Sequence, residues 1–171
     1  AVPSIVYGIL GLAFFARALA LGQSVITASL TLSLLILPIV IISTREALRA
    51  VPRNIRDGSL ALGASEWQTA YRQTLPAAIP GIATGVTLAL SRAIGEAAPL
   101  LLLGAVTFIT FNPTGPLSGY TTLPIQIFNW TKDSREEFQT LASATIVLLL
   151  VLLLAMNLAA ILIRNRTQKR W

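Results

Sequence analysis

An all-α polytopic membrane protein with about four transmembrane helices is the fold class the sequence predicts, and three observations lead there. Of the 171 residues, 54% are hydrophobic and only 12% are charged, about half the charge of an average globular domain. A bilayer core about 30 Å thick takes about 20 consecutive apolar residues per helix, and residues 25–42 and 138–163 supply such lengths without a charge. The charges that remain gather in a central loop and in the C-terminal tail, as they do in chains that cross a membrane several times.

The elements follow in order. Residues 1–22 form a first span broken only by Arg17, and a turn at 22–24 leads into a second span over 25–43. Residues 45–76 are a polar, arginine-rich loop. Residues 77–103 return as a third span that carries Arg92 and Glu96. In the segment 104–138 the apolar residues are broken by Asn112, Pro113, Gly115, Pro116, Gly119 and Pro124, so a regular spanning helix is not expected. Irregular backbone facing lipid would leave amides and carbonyls unpaired, which makes this a loop packed on the bundle. Residues 139–163 are the fourth span and 164–171 a basic tail.

The net charge of +6 is therefore a matter of topology and not of nucleic acid. Arg45, Arg49, Arg53, Arg56 and Arg72 lie in the central loop, and Arg164, Arg166, Lys169 and Arg170 in the tail. In 104–138, Lys132 and Arg135 are offset by Asp133, Glu136 and Glu137. Positive loops stay on the cytoplasmic side, so loop and tail are expected inside, and the 22–24 turn and the 104–138 loop outside. Trp130 and Trp171 suit interfacial anchors. The chain has no histidine and no cysteine, which removes imidazole bases, thiolate nucleophiles and the commonest zinc ligands. It opens in an apolar segment without an initiator methionine, and is expected to be the C-terminal part of something longer.

The loop has well-formed helix signals. Pro52 suits a first helical turn and Gly63 a left-handed C-terminal cap, which predicts a helix over 52–62. Ser65 with Gln68 matches a capping box that opens a second helix toward Leu75. Pro76 and Pro80 then mark re-entry into the membrane. Ile55, Leu60, Leu62, Trp67 and Tyr71 are too few apolar residues to fold alone. Such a hairpin either lies on the bilayer surface or docks a soluble partner. Arg53 and Arg56 suit acidic side chains of that partner, anionic lipid headgroups, or topology alone.

In the third span, Gly81, Gly85, Ala89, Arg92, Gly95, Glu96 and Pro99 share a sector at about 100° per residue. Small residues at this spacing let another helix approach closely or line a narrow passage. At about 1.5 Å per residue from Ala77, Arg92 lies roughly 22 Å along the helix. An arginine at the bilayer centre costs roughly 2.5–3.5 kcal/mol. Two readings stay open: Arg92 and Glu96 neutralise each other at i and i+4, or Arg92 offers its donor fork to a passing oxyanion while Glu96 limits how tightly it is held. Lys132 and Lys169 are the only lysines and no Walker loop, serine elbow or histidine triad occurs. If ATP drives the system, its site belongs to another subunit.

Asp57, Gly58 and Ser59, then Gly63, then Leu75 with Pro76, resemble the E-A-A loop signature of permeases in ATP-binding cassette importers, with Gln73 at the position of its isoleucine. VPSIVYG at 2–8, EALRAVP at 46–52, LALGASEWQT at 60–69 and RAIGEAAPLL at 92–101 extend the resemblance, most closely to high-affinity phosphate importer permeases of the PstA type. The resemblance implies a single permease domain over 1–171, the C-terminal part of a MetI-like permease of about six helices in the bacterial inner membrane. It implies that Asp57, Gly58, Ser59, Leu62, Gly63, Ala64 and Trp67 form the ATPase-coupling loop, with Arg92, Glu96, Gly85 and Ala89 along the translocation pathway. The implied partners are a second permease of the PstC type or a homodimer mate, an ATPase dimer, an external phosphate-binding protein and membrane lipid. No cofactor, metal or nucleic acid is expected on this chain, and it is not expected to be an enzyme. Sulfate or molybdate import, or a non-transporting scaffold or sensor, are the competing functions.

Overall fold

The computed structural model describes residues 3–104 and 112–167, and every regular element among them is helical. The helices are α1 (Ser4–Leu10), α2 (Val25–Arg49), α3 (Arg53–Ala61), α4 (Glu66–Thr69), α5 (Leu75–Ile94), α6 (Ala98–Leu102), α7 (Leu123–Lys132) and α8 (Glu136–Thr167), with π-helical stretches at Gly11–Ala18 and Ala70–Thr74. Among the described residues, three helical runs are long and apolar enough to cross a membrane: Val25–Arg49, Glu66–Ile94 and Glu136–Leu162. Ser4–Ala18 is a shorter apolar helix.

The chain divides into two compact units, one of Ala1–Ile36 with Arg92–Leu154 and one of Leu37–Ser91 with Ala155–Trp171. In the first, the opening helix stops at Ala18 instead of filling 1–22, because the backbone turns left-handed at Ala20 (φ 53°) and Gly22 (φ 62°). α1 packs on α6, and Gly8 makes this possible: a Cβ there would fall 2.8 Å from the Pro99 Cα. Gly11 lies against the Thr31 side chain in the same way. The core of this unit is Ala28, Leu100, Leu103, Tyr120 and Ile125, edged by Leu12, Val25 and Leu32.

The loop before α7 closes the start of α2. The Val25 amide donates to the Ser118 carbonyl at 3.0 Å and the Ile26 amide to the Pro116 carbonyl at 2.9 Å, satisfying donors that a helix N-terminus leaves orphaned. Ser118 holds the loop in turn, its Oγ accepting from the Thr114 and Gly115 amides at 3.2 and 3.1 Å. Buried Ser24, Thr27 and Thr31 are paired locally: Thr27 Oγ1 donates to the Gly22 carbonyl and Thr31 Oγ1 to the Thr27 carbonyl, both at 2.8 Å. The described part of the segment 104–138 also holds α7, whose Pro124 falls in the first turn where its missing N–H costs nothing. Residues 105–111 of this segment lie outside the described residues.

In the second unit α2 continues to Arg49, so the polar loop begins later than residue 45. α3 begins after Pro52 and not on it, with Pro52 extended at φ −57° and ψ 136°. The second hairpin helix does not stop at Pro76: α4, the π-helical stretch and α5 form one run over Glu66–Ile94. The widened π turn directly before Pro76 absorbs a residue that lacks an N–H and crowds the preceding turn. α8, which belongs to the first unit as far as Leu154, is helical from Glu136 on, its first-turn Glu136 and Glu137 favourable to the helix dipole. Within its span Val147, Leu150, Val151 and Leu154 remain exposed, a face suited to lipid or other helices. Lys169, Arg170 and Trp171 of the tail lie outside the described residues.

Candidate functional site

The hairpin is built by α3, a glycine turn and α4. Gly63 adopts φ +86°, and its amide donates to the Leu60 carbonyl at 2.9 Å, so the left-handed residue ends α3 and reverses the chain. The capping box forms on both sides: the Gln68 amide donates to Ser65 Oγ at 3.2 Å and the Ser65 amide to Gln68 Oε1 at 3.0 Å. A pair between Ser59 Oγ and the buried Thr69 Oγ1, 2.9 Å apart, fastens the two arms. Leu62 at the tip is 91% exposed and Trp67 78% exposed. Asp57, Gly58 and Gly63 are exposed and Ala64 half-buried, so the residues of the loop signature lie together on a fixed, solvent-facing hairpin.

Arg56 ties that hairpin to the membrane helix before it. Its Nη2 donates to the Leu48 carbonyl at 2.6 Å, capping the last turn of α2 with a cation where the helix dipole favours one. No sequence signal singled out this bond, because Leu48 and Arg56 meet only after the chain turns at Pro52. Between the end of α2 and the hairpin lies a cleft of about 910 Å³, lined by Val40, Ile41, Leu48, Leu75 and other apolar groups, with Arg45, Arg49, Arg56 and Glu66 among its polar ones.

Gly85 and Ala89 are both buried, Ala89 completely. Gly85 faces the Ser43 side chain of α2, and one turn earlier a Cβ on Gly81 would lie 2.9 Å from Ala47 Cβ. Of the two roles the small residues suggest, close helix approach is the one this unit displays.

The charged pair is arranged differently from the sequence expectation. α5 does not run to 103 but ends at Ile94, and Glu96 sits in the break before α6. Pro99 would clash with the carbonyl of Gly95 if one helix ran through both. The shared sector ending in Gly95, Glu96 and Pro99 is therefore cut. Arg92 is exposed in the last turn of α5, Glu96 is half-buried, and no ion pair joins them among the described residues. The i and i+4 neutralisation that a continuous helix would allow is absent.

The family model for the inner membrane component of binding-protein-dependent transport systems matches residues 1–168. The chain belongs to this family. It is 36% identical over 170 residues to the probable ABC transporter permease protein YqgI of Bacillus subtilis, covering 92% of this chain and 58% of that protein. It is 35% identical over 170 residues to the phosphate transport system permease protein PstA 1 of Mycobacterium tuberculosis, covering 99% of this chain and 55% of that protein. A shorter match, 45% over 102 residues, joins it to PstA of Mycobacterium leprae, covering 60% of this chain and 34% of that protein. The chain spans about half the length of the curated relatives it matches. No solved structure is matched. Membership of the inner-membrane transport family accords with the apolar helical runs, and its relatives are named as transporter permeases and not as enzymes.

Proposed function

We propose that this chain belongs to a permease subunit that carries inorganic phosphate across the bacterial plasma membrane, driven by ATP hydrolysis in a partner subunit. The observation that supports coupling is the hairpin: a rigid, capped reversal that presents Leu62 and Trp67 outward cannot serve its own unit's packing. A soluble ATPase dimer seated on Asp57–Gly63 and Trp67 would bury them. A push on the hairpin would pass through Arg56 to α2, and through the unbroken run Glu66–Ile94 to α5.

Phosphate as substrate rests on the named function of the relatives. In this reading loop and tail face the cytoplasm, a PstC-type permease or a second copy pairs with this subunit, and an external binding protein delivers the anion. Arg92, exposed at the end of α5 and free of Glu96, supplies the donor fork on the path, and Glu96 beyond the helix break keeps the local field from trapping the anion. Gly85 and Ala89 hold the helices close enough to shape that path. In this reading the ATP site lies on the partner subunit.

Uptake of labelled phosphate by cells that depend on this transporter is the test, with Arg92→Ala and Leu62→Asp compared against the unaltered protein. The proposal expects Arg92→Ala to impair uptake with the ATPase still bound, and Leu62→Asp to release the ATPase. Uptake competed by sulfate or molybdate as strongly as by unlabelled phosphate would widen the substrate to tetrahedral oxyanions in general. An assembled, ATPase-bound protein with no oxyanion uptake would favour a scaffold.

A further inference from the structure

The cleft between the end of α2 and the hairpin combines two surfaces that seldom meet. One wall is apolar and belongs to the spanning helices: Val40, Ile41 and Leu48 of α2 and Leu75 of α5. The other end is cationic. Arg45 and Arg49, four residues apart and therefore on one face of α2, line it with Arg56. The carboxylates nearby do not cancel this charge. Glu66 lines the cleft too, and Glu46 pairs with Arg49 only at 3.8 Å with both side chains well exposed. Arg56 is committed to the Leu48 carbonyl, which covers the negative end of α2 that would otherwise repel an anion. That leaves Arg45 and Arg49 as donors for a ligand.

From this we infer that the cleft binds one anionic phospholipid, its acyl chains along Val40, Ile41 and Leu75 and its headgroup phosphate between Arg45 and Arg49. Charge complementarity selects the lipid, because the mouth carries three arginines against one glutamate. The apolar wall excludes a free phosphate ion as the occupant, since it would leave that wall wet. Basic pockets between membrane helices on the cytoplasmic side hold anionic headgroups for the same reason. The site is distinct from any phosphate path at Arg92. Its occupancy would set the spacing between α2 and the hairpin, and through it the position of the exposed tip.

Native mass spectrometry of the complete transporter, released from nanodiscs of phosphatidylcholine with graded phosphatidylglycerol, tests this without reading transport. One phosphatidylglycerol is expected to stay bound per copy of this chain. Arg45→Gln with Arg49→Gln should weaken its retention about thirtyfold, the equivalent of about 2 kcal/mol. Ile41→Trp, which fills the apolar wall and keeps both arginines, should also displace the lipid. Inorganic phosphate should not compete. Equal retention of phosphatidylcholine, or unchanged retention in both variants, overturns the proposal. So does displacement by inorganic phosphate, or cross-linking from a photoreactive group at Ile41 to another polypeptide instead of lipid.

Discussion

Arg56 and Leu48 are joined by a 2.6 Å hydrogen bond from Nη2 to the carbonyl oxygen, and this bond is the direct tie between the hairpin and the end of α2. The intervening turn contributes its own support, since the Ala50 amide donates to the Glu46 carbonyl at 2.9 Å and Val51 is buried. Hairpin and helix end are therefore one mechanical piece.

Removing the guanidinium should separate them. A charge-assisted bond to a carbonyl contributes about 1.5–3 kcal/mol, so Arg56→Ala should loosen α3 by about that amount. Amide hydrogen exchange over residues 53–61 of the assembled transporter reads the loss directly. Uptake should fall with insertion unchanged. Arg56→Lys should restore part of the protection, because an ammonium can still reach the carbonyl but without the planar fork.

The two hairpin glycines should respond in opposite ways. At Gly63, φ +86° is the left-handed region, and a Cβ would meet nothing within 4 Å. The cost of Gly63→Val is therefore backbone strain, at least about 1–2 kcal/mol, without any clash. Gly58 lies inside α3 with ordinary dihedrals and equally open surroundings. Gly58→Ala should stabilise the helix by roughly 0.5–1 kcal/mol. Limited proteolysis of the loop should quicken in the first variant and slow in the second.

Gly85 tests the helix approach. Any side chain there overlaps Ser43, and overpacking typically costs about 1–3 kcal/mol. Gly85→Ala should lower the thermal stability of the detergent-solubilised transporter. Adding Ser43→Gly should recover it, since the hydroxymethyl group is what the new methyl meets. Failure of the second change to rescue the first would show that the two helices are not apposed at this level.

The α7 to α8 turn holds a carboxylate of low pKa. Arg135 donates to Asp133 from Nε at 3.0 Å, from Nη2 at 2.9 Å and from its backbone amide at 3.1 Å. Side-chain hydrogen bonding to Arg135, above all, pulls the Asp133 carboxyl down to about 2. A carboxyl lower in the folded protein than in the unfolded chain stabilises the fold above its unfolded value of 3.8, and the benefit fades as pH falls toward about 2. Arg135→Ala should raise the Asp133 titration midpoint toward 3.8, measured by NMR on a carboxylate-labelled sample. Arg135 is exposed and Asp133 only partly covered at the surface, so solvent screening leaves little change in overall stability.

Much of the hairpin was legible from residues alone because its signals are local. A capping box needs only Ser65 and Gln68 in register, and a left-handed turn needs a residue without a Cβ, which Gly63 supplies. The helix ends were less legible. Pro76 reads as a boundary in the chain, yet a π turn upstream lets the helix pass through it, and that accommodation is a property of the turn and not of the proline. Arg92 and Glu96 read as neighbours on one helix, but Gly95 and Pro99 end that helix between them.

By itself the sequence determined that the chain lives in a membrane, where its polar hairpin falls and which residues reverse it, because hydrophobic length, charge placement and turn chemistry act over a few residues or a simple sum. Only the tertiary structure decided what those pieces touch. Ser118 and Pro116 meet the start of α2, Ser43 meets Gly85, and Arg56 meets Leu48. Each contact joins residues whose spacing in the chain carries no periodic signal. Their partners are chosen by which surfaces the folded backbone brings within a few ångströms.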